Sequence, residues 1–285
     1  MEKCIKLQSQ HALAHFASRK QLQNTTTIMS TCSSIQSRKF SLTKDEAKYF
    51  ASRSVEDMKE YRNKLQKRRQ ERMKRAADGK DAYGSEQDDG DTYFEVPPVD
   101  PYAIGCRAFA AIIANCVTDR TSQVIDIAAG TGYMGIEIKK FGFENIDSLE
   151  PLQAMIEKQP KGIYGKVYKE MISGEETTSI PSDNYDCAII GGSVSPTHIE
   201  VGAFPEIFRI VKEGGYIILN IPDYWYHYMN FGANFDTMLQ RSLEDGTLEI
   251  VEKKRCVYIY HFEDANVYIL RKANNVINNT AKNGF

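Results

Sequence analysis

The sequence predicts an α/β domain: a mostly parallel seven-stranded sheet with helices on both faces and an antiparallel hairpin at its C-terminal end. Three observations predict it. From Asp100 onward, apolar runs of strand length alternate with helix-patterned stretches, the texture of parallel strands joined by crossover helices. The last two β-rich runs are joined by a short polar stretch instead of a helix, so they form a hairpin. The first strand runs straight into Ala128-Ala129-Gly130-Thr131-Gly132, where glycines let the backbone bend sharply and approach a ligand closely.

Taken in order, Tyr102–Cys116 reads as a helix and Gln123–Ile127 as a buried strand. Tyr133–Phe141 is helical, and Asn145–Leu149 is a short strand. A helix follows from Pro151, well placed at a first helical position, to about Lys158. Lys166–Glu170 is the candidate third strand, Tyr185–Ile190 the fourth, and Ala203–Val211 the helix after it. Tyr216–Ile221, flanked by Gly214, Gly215 and Pro222, is the fifth strand. Phe231–Leu243 reads as a helix, and Leu248–Tyr260 with Asn266–Arg271 as the hairpin. The domain runs over residues 93–272, with a tail at 273–285.

Upstream the texture differs. Residues 1–43 hold one acidic residue, Glu2, against Lys3, Lys6, Arg19, Lys20, Arg38 and Lys39, and are dense in Ser and Thr. That composition fits a mitochondrial transit peptide or a plain tail. Residues 44–79 read as a charged helical segment: Thr43 and Glu46 have capping-box spacing, and Val55–Ala77 lacks Gly and Pro. Its basic run Lys67–Arg75 suits a nucleic-acid contact or a partner helix, but a solvated charged face is the plainer reading. Acidic, glycine-containing residues 80–92 form a linker.

The 285 residues carry a formal net charge of −2, which excludes a generic polyanion binder. No apolar run approaches the roughly 18 residues of a membrane span. Six cysteines make no C-x-x-C pair, and no His stands at zinc-finger spacing, so no metal site is expected. Cys116, Cys187 and Cys256 lie among apolar residues and read as small buried side chains in a reducing compartment. The expected location is the cytoplasm, with the mitochondrion as the alternative.

The segment Val124-Ile125-Asp126-Ile127-Ala128-Ala129-Gly130-Thr131-Gly132 resembles the first motif of class I S-adenosylmethionine-dependent methyltransferases, D-x-G-x-G-x-G, with Ala128 in place of the first glycine. An alanine Cβ there is tolerable if φ is negative, although it narrows the room beside a ligand. Further on, Ser195-Pro196-Thr197-His198 and Glu206 to Tyr216 resemble the G-x-x-S-x-x-H loop and L-R-x-x-K-P-G-G helix end of the methyltransferase-like family of the Williams–Beuren deletion region. Glu213 stands for the usual Pro. The likeness spans Tyr93 to Lys272.

What the resemblance implies is a Rossmann-like class I fold that binds S-adenosyl-L-methionine. Asp126, Ala128, Gly130 and Gly132 would form the cofactor loop, and Asp126 would help hold the amino-acid end. Glu150, at the end of the second strand, would accept hydrogen bonds from the ribose hydroxyls; the competing reading is a helix-capping acid ahead of Pro151. Leu152 or Gln153 would flank the adenosine, and Pro151 would belong to the same cofactor-binding segment. Glu170 and Met171 would embrace the adenine, or be a surface acid and a buried methionine. Gly191 would allow close approach after the fourth strand, and Tyr102 would cover the site. The N/D-P-P-Y/F sequence used on planar amides and adenine amines is absent.

Methyl transfer from a sulfonium needs alignment and exclusion of water more than acid–base help. Where the acceptor is a protonated amine or a hydroxyl, His198 is the candidate base; otherwise it caps the helix expected near Ile199 or supports another site residue. Tyr93, Tyr102, Tyr224, Trp225, Tyr226 and Tyr228 form an aromatic set that would wall an acceptor or pack a lid. His227 and His261 read as surface or hairpin residues. The expected function is methyl transfer to a small-molecule or protein acceptor. One alternative is a catalytically silent cofactor-binding module acting through a partner. A nicotinamide oxidoreductase is disfavoured by the final hairpin and by the missing G-x-G-x-x-G.

Overall fold

The computed structural model describes residues 101–227, 230–258 and 263–274. Expectations for residues 1–43, 44–79 and 80–92, for Lys67–Arg75, Tyr93, Tyr228 and His261, and for most of the tail lie outside the described residues. Among the described residues no helix is long and apolar enough to cross a membrane, and no cluster of three or more His, Cys, Asp or Glu is placed to hold a metal ion.

The first helix, α1 (Pro101–Cys116), opens on a proline, whose fixed φ suits a first turn. β1 (Gln123–Ile127) leads to α2 (Tyr133–Lys140), whose last turn carries Lys139 and Lys140 against the carbonyl end. β2 (Asn145–Leu149), the short α3 (Gln153–Ile156) and β3 (Val167–Tyr168) follow. β4 (Tyr185–Ile190) precedes a 3-10 turn at Val201–Ala203 and α4 (Phe204–Ile210). β5 (Val211–Pro222), α5 (Asp223–Tyr226), α6 (Phe231–Glu244), β6 (Leu248–Tyr258) and β7 (Glu263–Lys272) complete the chain.

The seven strands lie in the order β3-β2-β1-β4-β5-β7-β6. β1 to β5 are mutually parallel, and β7 inserts antiparallel between β5 and β6. This order reverses direction at β1. From β1 the chain steps to β2 and β3 on one side, then returns to β4 and β5 on the other. In open α/β sheets such a reversal is a topological switch point, and here it falls at the carboxyl ends of β1 and β4.

Strand residues alternate between two buried faces. On one, Ile125, Ile127, Ala188, Ile190, Ile217, Leu219, Tyr268 and Leu270 pack with Phe204, Ile207, Phe235 and Leu239 of α4 and α6. An edge-to-face aromatic row runs through it, Phe208 to Phe204 to Phe235 to Tyr268, with centroids 5.9, 5.4 and 5.0 Å apart. On the other face Val124, Asp126, Cys187, Ile189 and Ile218 are buried. There α1 lies against α2, with Phe109, Ile113, Met134 and Ile138 inside.

Several elements differ from expectation. α3 and β3 are shorter than Pro151–Lys158 and Lys166–Glu170, because β3 is an edge strand paired only through Ser148 and Leu149. β5 starts at Val211, since Tyr185 pairs with Val211 ahead of a register shift at Cys187. α5 has no expected counterpart. Cys187 is buried as read, whereas Cys116 is half-buried.

Candidate functional site

The glycine loop leaves β1 at this switch point. The Ala129 N–H donates to the Leu149 carbonyl of β2 at 3.2 Å, the Gly132 N–H turns back to the Ala129 carbonyl at 3.0 Å, and the Ile136 N–H opens α2 on the Gly132 carbonyl. Three of the five loop residues are left-handed: Ala128 at φ 55°, Gly130 at φ 56° and Gly132 at φ 89°. The condition of a negative φ at Ala128 is therefore not met. An L-residue pays a steric cost in that region, between Cβ and the following carbonyl, that glycine escapes. A Cβ built on Gly130 would meet no heavy atom within 4 Å, so the loop presents an open face there.

Glu150 stands just past β2, 5% exposed. Its Oε2 accepts the Gly130 N–H at 2.8 Å, and its Oε1 accepts the Leu152 N–H at 3.0 Å. It does what a capping acid would do and also ties two loops together. A carboxylate offers about four acceptor sites, so two remain for ligand hydroxyls. Burial pushes its carboxyl up, against the lowering by these two backbone donors.

Asp126 is 1% exposed on the α1–α2 face, beneath the loop. It accepts the Tyr164 hydroxyl at 2.6 Å on Oδ2. Burial pushes its carboxyl up to about 7; the Tyr164 and Gly135 donors pull it down, while the nearby Glu150 charge pushes it up. Tyr164 is itself raised well above its ordinary range by burial and by Asp126. Tyr164 and Gln159 escaped the sequence reading, because each reaches its partner across about 30 residues or more with no local motif to mark it.

Gly191 lies where β4 leaves the sheet, and a Cβ on it would sit 3.5 Å from Met134 Sδ. The next peptide is fixed by the Gly192 N–H, which donates to Asn220 Oδ1 of β5 at 2.6 Å. The loop beyond closes on an isolated bridge between Val194 and Ile199. Inside it His198 Nδ1 lies 3.0 Å from both Ser195 Oγ and Thr197 Oγ1. The helix expected near Ile199 starts as a 3-10 turn at Val201, with Glu200 as its N-cap residue.

The Glu170 carboxylate is held by the N–H and hydroxyl of Ser179. Met171 is 68% exposed, so the reading of a buried methionine fails. Pro151 and Leu152 are half-buried beside Glu150. Tyr102 falls in the first turn of α1. Trp225 is buried in the core and Tyr226 is bound to Asp236, so neither is an open wall. A cleft of about 430 Å³ lined by Val117, Thr121, Asp186, Lys212 and Tyr216 opens at the amino ends of β1, β4 and β5, the edge opposite the glycine loop.

No family model matches the chain. Over 115 residues it is 28% identical to methyltransferase-like protein 27 of Homo sapiens, covering 38% of this chain and 46% of that protein, so it spans under half of that relative's length. Among solved structures, the [4+2]-cyclase SpnF is 13% identical at a TM-score of 0.45, covering 59% of this chain and 81% of the cyclase. A Leishmania major S-adenosylmethionine-dependent methyltransferase is 18% identical at a TM-score of 0.45, covering 60% and 72%. The sheet order, the C-terminal hairpin and the glycine loop after β1 give the chain a Rossmann-like α/β fold, and part of it is similar to a methyltransferase-like protein.

Proposed function

We propose that this chain binds S-adenosyl-L-methionine at the carboxyl ends of β1 and β4 and transfers its methyl group to a small-molecule or protein acceptor. The observation that carries the reading is the glycine loop at the topological switch point, left-handed at three positions, open above Gly130 and tied through the Gly130 N–H to Glu150. A loop that bends this tightly beside open space is a cradle for a ligand lying flat on the backbone.

The residues present fit the cofactor. Glu150 would hold the ribose hydroxyls with its two remaining acceptor sites, and Leu152 would lie beside the adenosine. Met171, exposed at the end of the β3 segment, is an apolar cover for a purine. Asp126, Ala128, Gly130 and Gly132 would carry the amino-acid end, and Gly191 would leave room at the β4 edge. Tyr102, in the first turn of α1, stays in the proposed set on the resemblance alone. When bound, the cofactor supplies an electrophilic methyl on a sulfonium.

The chain's own contribution is alignment and proton handling. The Gly191–Gly192 turn, held by Asn220, carries no side chain and so would let an acceptor approach its backbone closely. His198 is steadied through Nδ1 by Ser195 and Thr197, which orients its ring as a proton acceptor for an amine or hydroxyl.

Calorimetric titration with S-adenosylmethionine, S-adenosylhomocysteine and NAD tests the reading, repeated on Glu150→Ala. Binding of the adenosyl sulfur ligands alone, lost in the variant, is the expected result. A folded protein that binds neither refutes it. Binding without turnover on a broad acceptor panel would make the chain a cofactor-binding module.

A further inference from the structure

The segment between α3 and β3 is strapped across the underside of the glycine loop, and three of its side chains touch it. Gln159 Nε2 donates to the Gly130 carbonyl at 2.9 Å, while Gln159 Oε1 lies 3.4 Å from Ser148 Oγ of β2. The Pro160 ring lies so close that a Cβ on Gly132 would stand 3.3 Å from its Cδ, and equally close to Tyr164 Cε2. The Tyr164 ring lies flush on α2, where a Cβ on Gly135 would meet its Cζ and hydroxyl oxygen at 2.5 Å. From there the hydroxyl reaches Asp126.

This gives the Gly130 peptide unit a constraint on each side. Its N–H is held by Glu150 from β2, and its carbonyl by Gln159 from the strap. A residue at φ 56° between two other left-handed residues has competing backbone states close in energy, and two hydrogen bonds in opposite directions remove them. Tyr164 fixes the carboxylate orientation of Asp126 in the same way, since a buried acceptor keeps the geometry of its one side-chain donor. A loop already in its bound shape loses little entropy when a ligand arrives.

We propose that Gln159 and Tyr164 are positioning residues for the cofactor loop: the first sets the Gly130 peptide and the second sets the Asp126 carboxylate, and both act on cofactor affinity through the loop. The inference rests on the cofactor reading above. Removing one neutral hydrogen bond of this kind weakens binding roughly threefold to tenfold.

The groups facing Asp126 define the electrostatics of the test. Tyr164 and the Gly135 N–H donate to it from the strap and α2, Glu150 faces it from the end of β2, and the Cys106 thiol of α1 lies near Tyr164. Tyr164→Phe keeps the ring on Gly135 but removes the donor that lowers Asp126, so the Asp126 carboxyl moves further up.

The experiment compares Gln159→Leu, Tyr164→Phe and the unaltered chain. Three readouts are taken: calorimetric affinity for S-adenosylhomocysteine between pH 6 and 9, amide exchange at Gly130–Gly132, and the Asp126 titration by carboxyl-carbon NMR. The expected result is a roughly threefold to tenfold weaker affinity in each variant. Gln159→Leu speeds exchange at the loop amides. Tyr164→Phe moves both the Asp126 titration and the pH midpoint of binding upward. If the unaltered chain binds and both variants match it in affinity, exchange and pH profile, the positioning role is overturned and the cofactor reading stands. If the unaltered, folded chain does not bind, both fall. Gln159 is half-buried, so Gln159→Leu keeps the test valid even if Tyr164→Phe folds poorly.

Discussion

Ala128→Gly should stabilise this chain, against the ordinary direction of an Ala→Gly change. The left-handed conformation at φ 55° costs an L-residue roughly 1–2 kcal/mol. Glycine removes that cost but returns about 0.5–1 kcal/mol through the greater freedom of its unfolded chain. Ala128 is only partly buried against the core, so its methyl gives back at most about half of the ~0.8 kcal/mol of a buried carbon. The balance is a gain on the order of 0.5 kcal/mol, or about 1–2 °C in melting temperature for a domain of this size.

The neighbour supplies the control. Ala129 is 8% exposed and is absent from the left-handed residues, so Ala129→Gly loses both entropy and burial, about 1–2 kcal/mol. Urea unfolding of the two variants beside the unaltered chain measures the contrast, with unchanged m-values as the check on two-state behaviour. The reasoning is refuted if Ala128→Gly lowers the midpoint as much as Ala129→Gly does.

Other outcomes follow from neighbouring contacts. Gly135→Ala places a Cβ 2.5 Å from the Tyr164 ring and should destabilise the chain, yet in a Tyr164→Ala background the same change should stabilise it by about 1 kcal/mol of helix propensity. An effect of the same sign in both backgrounds, measured by thermal melting, would remove Tyr164 as the cause. Glu206 is held below its ordinary 4.5, because Arg209 and Thr178 hydrogen bonds outweigh a burial that pushes it up. Its contribution is full above about pH 4.5 and is lost as pH falls through the lowered value. Acid titration should show Glu206→Gln converging on the unaltered chain at low pH, and a constant gap would contradict this. Asp126 runs the other way. Its carboxyl is raised from 3.8 to about 7, so its contribution is full below 3.8 and is lost as pH rises to about 7. Asp126→Asn should therefore gain melting temperature relative to the unaltered chain between pH 5 and 8, and equal differences at both ends would refute the buried charge.

The strands β1 and β4 were legible to the residue because each is a short, mostly apolar run buried on both faces, and β2 because Ile146 and Leu149 stand between polar turns at the expected spacing after α2. The glycine loop and Glu150 were legible because their spacing is local to one βαβ unit. The edge strand β3 was not, since a two-residue pairing leaves almost no periodicity to read. Gln159 and Tyr164 were hidden for a different reason. Their roles exist only once β1 and β2 lie side by side, and a glutamine or tyrosine in a polar turn carries no local signal of such a partner. The left-handed φ of Ala128 was invisible too, because alanine by itself predicts the opposite sign.

The insertion of β7 between β5 and β6 has a consequence for how the chain is made. Ile217, Leu219 and Ile221 of β5 find their second neighbour only in Leu270, Tyr268 and Asn266, and β6 pairs with nothing else in the sheet. During synthesis β5 and β6 leave the ribosome before the strand that must fit between them. The nascent sheet therefore waits with an open, apolar edge until residue 272 has emerged. A stop codon anywhere between 263 and 270 would leave β5 and β6 without the strand that joins them, which makes the last described strand the keystone of the sheet's assembly.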